Sequence, residues 1–478
     1  MLDALLPTLV PAAGASLVLL LRQQPARFVV LYATALTHFA LVTTLWLEPP
    51  VAPPGGLIGV GPAGLLVLTV VSLLYALVAV YLWAYTRRES RGAPRLFLAC
   101  HLFSLAAMSL AATAQHWGVY WVAMEATTLT TAPLLFYYHG ARSLEATWKY
   151  VLVCSVGIAF ALLGTFFLAL AGAAAPEQWD YLSFAYGMAH APQYSKPWLR
   201  LAAVFLLIGY GTKMGLAPMH SWKPDAYGEA PPPVAALLSG GLTSCGFLGL
   251  LRMTQLCDMA GESGFVHELL ITTGLLSLAV AAGAIVGQQN YRRLLAYSSV
   301  EHMGVLALAL GVGGLATTGA LLHLVANALN KGVLFLAAGN VLQATRTSAI
   351  GDLRGLLVRM PLSGTFLLLG WLATVGLPPF GLFVSEFTIL RGMFATGHGL
   401  VAAAYLLLLA IVFAGFGRAI LTMLHGTTQE PRVRELADGG VVALLPIAVL
   451  VALVLMLGVA MPEPLLTLIE NAARGGSR

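Results

Sequence analysis

Uncharged apolar stretches of about 20 residues recur from one end of the chain to the other, and this recurrence constrains the fold more than any other feature. The run VVALLPIAVLVALVLMLGVA, ending at Ala460, is one of them. Inside a hydrocarbon layer every backbone N–H and C=O must find a partner within the protein, so such runs fold as spanning helices. A transmembrane barrel needs alternating apolar and polar residues, and that pattern is absent. Only 9% of the 478 residues are charged, against about 25% in soluble domains. An ordinary soluble enzyme is excluded, and the expected fold is an all-α polytopic membrane protein. Fifty glycines and 25 prolines agree, since both residues are more frequent in membrane helices than in soluble ones.

The net charge of +5 does not point to nucleic acid, because the basic residues are scattered among short loops. The four cysteines (Cys100, Cys154, Cys245 and Cys257) form no C-x-x-C pair and lie mostly within apolar runs. They read as packing residues, so no disulfide framework, iron–sulfur site or other metal is expected. There is no nucleotide fingerprint either, so no cofactor and no redox centre is expected in this chain. Arg22 follows the first apolar run rather than preceding it, opposite to a cleavable signal.

Fourteen spanning helices are expected, near 2–21, 27–47, 60–85, 96–115, 117–138, 149–172, 198–217, 233–254, 265–288, 294–312, 316–343, 361–396, 401–424 and 440–460. The run at 361–396 is too long for one straight span and contains Gly376-Leu-Pro-Pro-Phe-Gly381, which should break it. Pro218 should break the seventh span at its end. One interrupted helix in each half is the sequence sign of a transporter built from internal repeats.

Loops after odd-numbered spans hold seventeen Lys and Arg residues, among them Lys223, Arg432 and Arg434; loops after even spans and the tail hold six, Arg478 included. The positive-inside rule then places odd loops in the cytoplasm and both termini outside, in a cell inner (plasma) membrane. Lys213 and Lys331 are assigned to the membrane interior.

Five ionisable residues stand among apolar neighbours: Glu125 in WVAMEATTLTTAPLL, Lys213, His323 and Lys331 in LLHLVANALNKGVLFL, and Glu386 in PPFGLFVSEFTIL. Inserting a charge at mid-helix costs about 2.5–3.5 kcal/mol, which makes such residues rare without partners or water. His323, Asn327 and Lys331 are spaced i, i+4, i+8 and so line one face of the eleventh span. Each residue has a plainer reading. Lys213 can snorkel from a helix end, Glu125 can be its structural ion-pair partner, and His323 can be a hydrogen-bonded packing residue. Glu386 fits an interfacial position as well as a wet cavity. Five such groups beside two broken helices are not explained by packing. Burial disfavours the charged form of a lysine and a nearby carboxylate restores it, so a lysine whose partner approaches and recedes can load and release a proton. Histidine titrates near neutrality unaided. Helix breaks free backbone carbonyls that can hold water in mid-membrane.

The order Glu125, KMGLAPMHSWKPDAYGEAP, YRRLLAYSSVEHMG (291–304), HLVANALNKGVLFLAAG and GLPPFGLFVSEF resembles the antiporter-like membrane subunits of respiratory complex I. Group 4 membrane-bound hydrogenases and multisubunit cation/proton antiporters share that family. The resemblance covers about residues 60 to 425, and the segment MEATTLTTAPLLFYYHGARSLEATWKYVLVCSVGIAFALLGTFF most resembles the F component of hydrogenase-4-type complexes. It implies two inverted five-helix repeats, 96–254 and 265–424, after three helices in 1–95 and before a last helix and tail in 440–478. It also implies that Glu125, Lys213, His323, Lys331 and Glu386 form a hydrated proton axis, driven by redox chemistry in a separate arm. The implied partners are other membrane subunits, that arm, protons and lipid, with no nucleic acid. Two positions depart from the family: the eighth span has Ser244, with Thr243 beside it, where relatives often carry a lysine or histidine, and Asn327 stands where some carry histidine. A water-borne relay between the halves is therefore expected. The alternatives are a sodium/proton antiporter subunit without electron transfer, and a scaffold that has lost transport.

Overall fold

The computed structural model describes residues 2–47, 56–89, 91–173, 182–426 and 438–475; Arg432, Arg434 and Arg478 lie outside the described residues. The described chain is helical, with three isolated β-bridges between loops. Three helices, α1 (Leu2–Leu20), α2 (Gln24–Leu47) and α3 (Pro62–Arg88), precede α4 (Arg95–Thr113), α5 (Trp117–Leu135) and the long α6 (Ala141–Gly172). A short α7 (Phe184–His190) leads to α8 (Lys196–Met214), the two-turn α9 (Trp222–Glu229), α10 (Pro232–Leu237) and α11 (Thr243–Met259). A π-turn, Leu238–Leu242, joins the last two, in place of the single regular helix that the sequence leads one to expect. The second half runs through α12 (Ser263–Val286), α13 (Tyr291–Val312), α14 (Leu315–Thr345), α15 (Leu356–Arg359), α16 (Pro361–Thr374), α17 (Gly381–Ala395) and α18 (Gly399–Leu424). It closes with α19 (Val441–Val459) and the amphipathic α20 (Glu463–Ala473), which lies beyond the expected spans and packs on α3 and α14.

Among the described residues eleven helices are long and apolar enough to cross a membrane. The three expected spans outside that set hold α5, α8 and the pair α16–α17. The first two fall short through their polar residues and the last through its break. These three carry Glu125, Lys213 and Glu386, and in α5 and α8 the polarity that weakens the span is the polarity of the candidate site.

Helix α14 is the hub. Its residues from Gly319 to Val341 are buried without interruption, and α13, α16, α17, α19 and α10 pack around it. Helices α2, α6 and α18 instead turn Leu36, Leu152, Phe166 and Leu407 outward. In water an apolar belt of this kind would drive association, whereas against lipid it matches its solvent. On α6 and α8 small residues let the backbones meet: a Cβ at Gly209 would run into Ala161, the close approach that drives helix pairing in membranes.

Both breaks fall where the prolines placed them, and both end in the same way. Gly215 (φ +78°) and Gly376 (φ +64°) adopt the left-handed conformation just past α8 and α16. Leu216 N–H reaches Gly211 O and Leu377 N–H reaches Leu372 O, while the two glycine N–H groups bond Thr212 O and Ala373 O. This double closure is a Schellman motif, which favours glycine at that position. The Ala217–Pro218 and Pro378–Pro379 peptides are cis.

Candidate functional site

The carbonyls at the end of α8 are not left open for water as expected. The Trp222 indole N–H of α9 donates to Thr212 O at 2.8 Å, and the Lys223 ammonium donates to Met214 O at 2.5 Å. The break is held from the other half of the chain as well, since Ala217 N–H donates to Ser277 Oγ on α12 at 2.9 Å.

Lys213, in the last turn of α8, is wholly buried. Its ammonium donates to Thr127 Oγ1 at 3.1 Å and to Thr128 Oγ1 at 2.5 Å, and faces the Tyr150 ring with its centroid at 5.9 Å. Thr128 in turn donates to Glu125 Oε2 at 3.3 Å, and Ser155 donates to Glu125 Oε1 at 2.9 Å. Glu125 itself is half-buried. The two ionisable groups are thus joined through a hydroxyl and make no direct ion pair. The threonine run on α5 (TTLTT) places Thr127 and Thr128 on the face toward α8. Snorkelling is excluded for Lys213, because its ammonium ends inside the bundle.

In the second half α13, α14 and α17 converge. Lys331 donates to Ser298 Oγ of α13 at 2.6 Å, and His323 lies 3.0 Å from His302 Nδ1 through its Nε2. The other nitrogen of His323 lies 3.0 Å from Ser385 Oγ, the residue before Glu386. Glu386 reaches back to the break: the space for a Cβ at Gly376 is filled by its carboxylate. Four buried polar atoms here, Glu301 Oε2, His302 Nε2, Asn327 Oδ1 and Glu386 Oε1, have no protein partner among the described residues. Buried polar atoms in native proteins are mostly satisfied by protein or water, so the cluster is polar enough to hold water.

All five expected residues therefore lie on polar clusters, two in the first half and three in the second. His302, His323 and Glu386 hold possible ligand atoms within 4.8 Å of one another. Both nitrogens of His323 are engaged, however, and the Lys331 ammonium lies two turns along the same helix face. The arrangement suits proton hand-over better than a dication.

Three residues escape the sequence reading. Glu301 and His302 are buried on α13 beside Ser298 and Ser299. The spacing Ser298 to His302 repeats the i, i+4 rule that reveals the stripe on α14 and would have found His302, with Glu301 at i+3 beside it. The positive-inside count takes Lys223 as a loop cation on the cytoplasmic side, and the structure corrects this. It is wholly buried, with its ammonium on Met214 O and, at 3.4 Å, Ser299 O. Asp225, two residues on, faces outward to Lys149 and Arg293, each at 2.9 Å. Ser244 and Thr243 turn their hydroxyls to Gly240 O and Ser239 O of their own helical turn.

A family model described as NADH:quinone oxidoreductase/Mrp antiporter, TM, matches residues 114–416. A hydrogenase-4 component F homolog of Methylacidiphilum infernorum is 34% identical over 408 residues, covering 84% of this chain and 85% of that one. NADH-quinone oxidoreductase subunit N of Desulforudis audaxviator is 33% identical over 360 residues, covering 73% and 69%. Among solved structures, a chain of the membrane-bound sulfane sulfur reductase, an archaeal respiratory membrane complex, superposes with a TM-score of 0.89 at 23% identity, covering 99% of this chain and 97% of that one.

Proposed function

Since the chain belongs to the NADH:quinone oxidoreductase/Mrp antiporter membrane family, as an antiporter-like subunit, we propose that it translocates protons within a hydrogenase-4-like or complex I-like oxidoreductase. The observation that carries this reading is the path from Lys213 through Thr128 to Glu125. Thr128 accepts from the ammonium and donates to the carboxylate, so its single hydroxyl is oriented along one line of proton transfer. In the second half Lys331, His323 and Glu386 continue the line. Redox chemistry would come from a separate arm. The reading takes the chain as fourteen crossings of the inner (plasma) membrane with two inverted repeats, 96–254 and 265–424. The matching Schellman breaks after α8 and α16 support this internal symmetry. Choice of a hydrogenase-4-like complex rests on the relative of that name.

The test is Lys213→Ala in the intact complex, reconstituted in vesicles. The variant is expected to assemble, continue electron transfer and lose most proton transfer. Normal pumping by an assembled variant overturns the proposal.

A further inference from the structure

The two polar clusters lie in different halves, and α11, which runs between them, offers no titratable side chain at the family's position. Ser244 and Thr243 spend their hydroxyls on their own helix. Lys223 occupies the gap. Its ammonium contacts Met214 O, one residue on from Lys213, and Ser299 O, one residue on from the Ser298 that receives Lys331. Its stem packs on Gly215, where a Cβ would meet its Cδ, so the glycine that turns the chain also admits the lysine. The π-turn brings Ser239 to Ser299 at 3.0 Å, adding hydroxyls at the same junction.

We propose that Lys223 is the proton relay between the two halves, replacing the base that α11 lacks; this rests on the proton-translocating reading above. A neutral Lys223 amine takes a proton that leaves the Lys213 ammonium through intervening water: one N–H bond breaks at Lys213 and one forms at Lys223. Lys223 then returns to the amine as it passes that proton to a neutral Lys331. Charge is conserved at each step, and like charge on Lys223 and Lys331 opposes simultaneous protonation.

A plain clamp is the competing explanation, since Lys223 holds the end of α8. Trp222 beside it caps the neighbouring carbonyl, Thr212 O, with a neutral N–H, so a cap at this helix end does not require a charge. A buried ammonium with no carboxylate within 4 Å among the described residues is a costly way to hold two carbonyls. The Tyr227 ring, 5.7 Å away, is its remaining close partner.

Lys223→Gln and Lys223→Arg separate the two roles. Both keep donors for the carbonyls, but glutamine cannot carry the proton and arginine does not release one. In the intact complex in sealed vesicles, both variants are expected to assemble, transfer electrons and lose proton transfer by roughly tenfold or more. Wild-type pumping by either assembled variant overturns the relay, and so does failure of both to assemble, which assigns the residue to structure. If Lys213→Ala is inactive while the Lys223 variants pump, the relay alone fails. If all three pump normally, the proton-translocating reading fails with it.

Discussion

Lys213 and Glu125 stand on facing helices without touching, and the Thr128 hydroxyl fills the space between them, bonded to both. Hydrogen bonds to charged groups contribute about 1.5–3 kcal/mol, and about 1.4 kcal/mol in a barrier is tenfold in rate. Thr128→Val keeps the shape and removes the bridge. Proton transfer in vesicles should fall roughly tenfold or more with assembly intact, whereas Thr128→Ser should retain most of it. An unchanged rate in the valine variant would remove the hydroxyl from the path.

Gly376 gives a second test, because it joins backbone geometry to the site. A side chain there meets left-handed strain of about 1–2 kcal/mol and also the Glu386 carboxylate. Gly376→Ala should lower the thermal stability of the purified complex, and Glu386→Ala should relieve part of that loss. A double-mutant cycle reads the coupling directly. Strict additivity would show that the carboxylate does not press against the break.

How much of this is legible in the sequence follows from how each residue announces itself. The stripe His323, Asn327 and Lys331 is visible because a long regular helix imposes a period on its sequence. The breaks are visible because glycine and proline have backbone consequences of their own. Lys223 is not, since α9 has only two turns and the same stretch carries Asp225. On so short a helix, which residue turns inward depends on what α8 and α13 leave uncapped. The bridging role of Thr128 is hidden for another reason. A threonine in a membrane helix usually returns its hydroxyl to its own backbone, as Thr127 does to Met124 O, and only the neighbouring helix reveals the exception.

Glu262, in the loop before α12, yields a pH dependence outside the membrane. Arg200 Nε lies 2.5 Å from its carboxylate and Lys196 Nζ lies 3.7 Å away. The Arg200 hydrogen bond holds the carboxyl below its usual range, against the opposing effect of desolvation. A depressed folded-state pKa contributes stability above the unfolded value, and that contribution is lost as pH falls through the folded value. The melting temperature of the purified complex should therefore decline on acidification from about pH 5 downward. Glu262→Gln should be less stable at neutral pH and should shed part of that acid dependence. An identical pH profile in the variant would mean the pair contributes nothing measurable.

The two ionic clusters also bear on orientation. Lys149, Asp225 and Arg293 form one, and Lys196, Arg200 and Glu262 the other. Helix α12 has 24 residues and leads from Glu262 toward Arg293, about 36 Å at 1.5 Å per residue, which separates the clusters by roughly a bilayer core. Moving Lys223 from loop to interior lowers the count on odd-numbered loops from seventeen to sixteen, against six on the other side. That excess is still ample for the positive-inside rule. A protease site engineered between Arg88 and Arg95, in the loop after α3, should be cut only in inside-out vesicles. Cutting in right-side-out vesicles would reverse the orientation and, with it, the side from which Glu125 and Glu386 exchange protons.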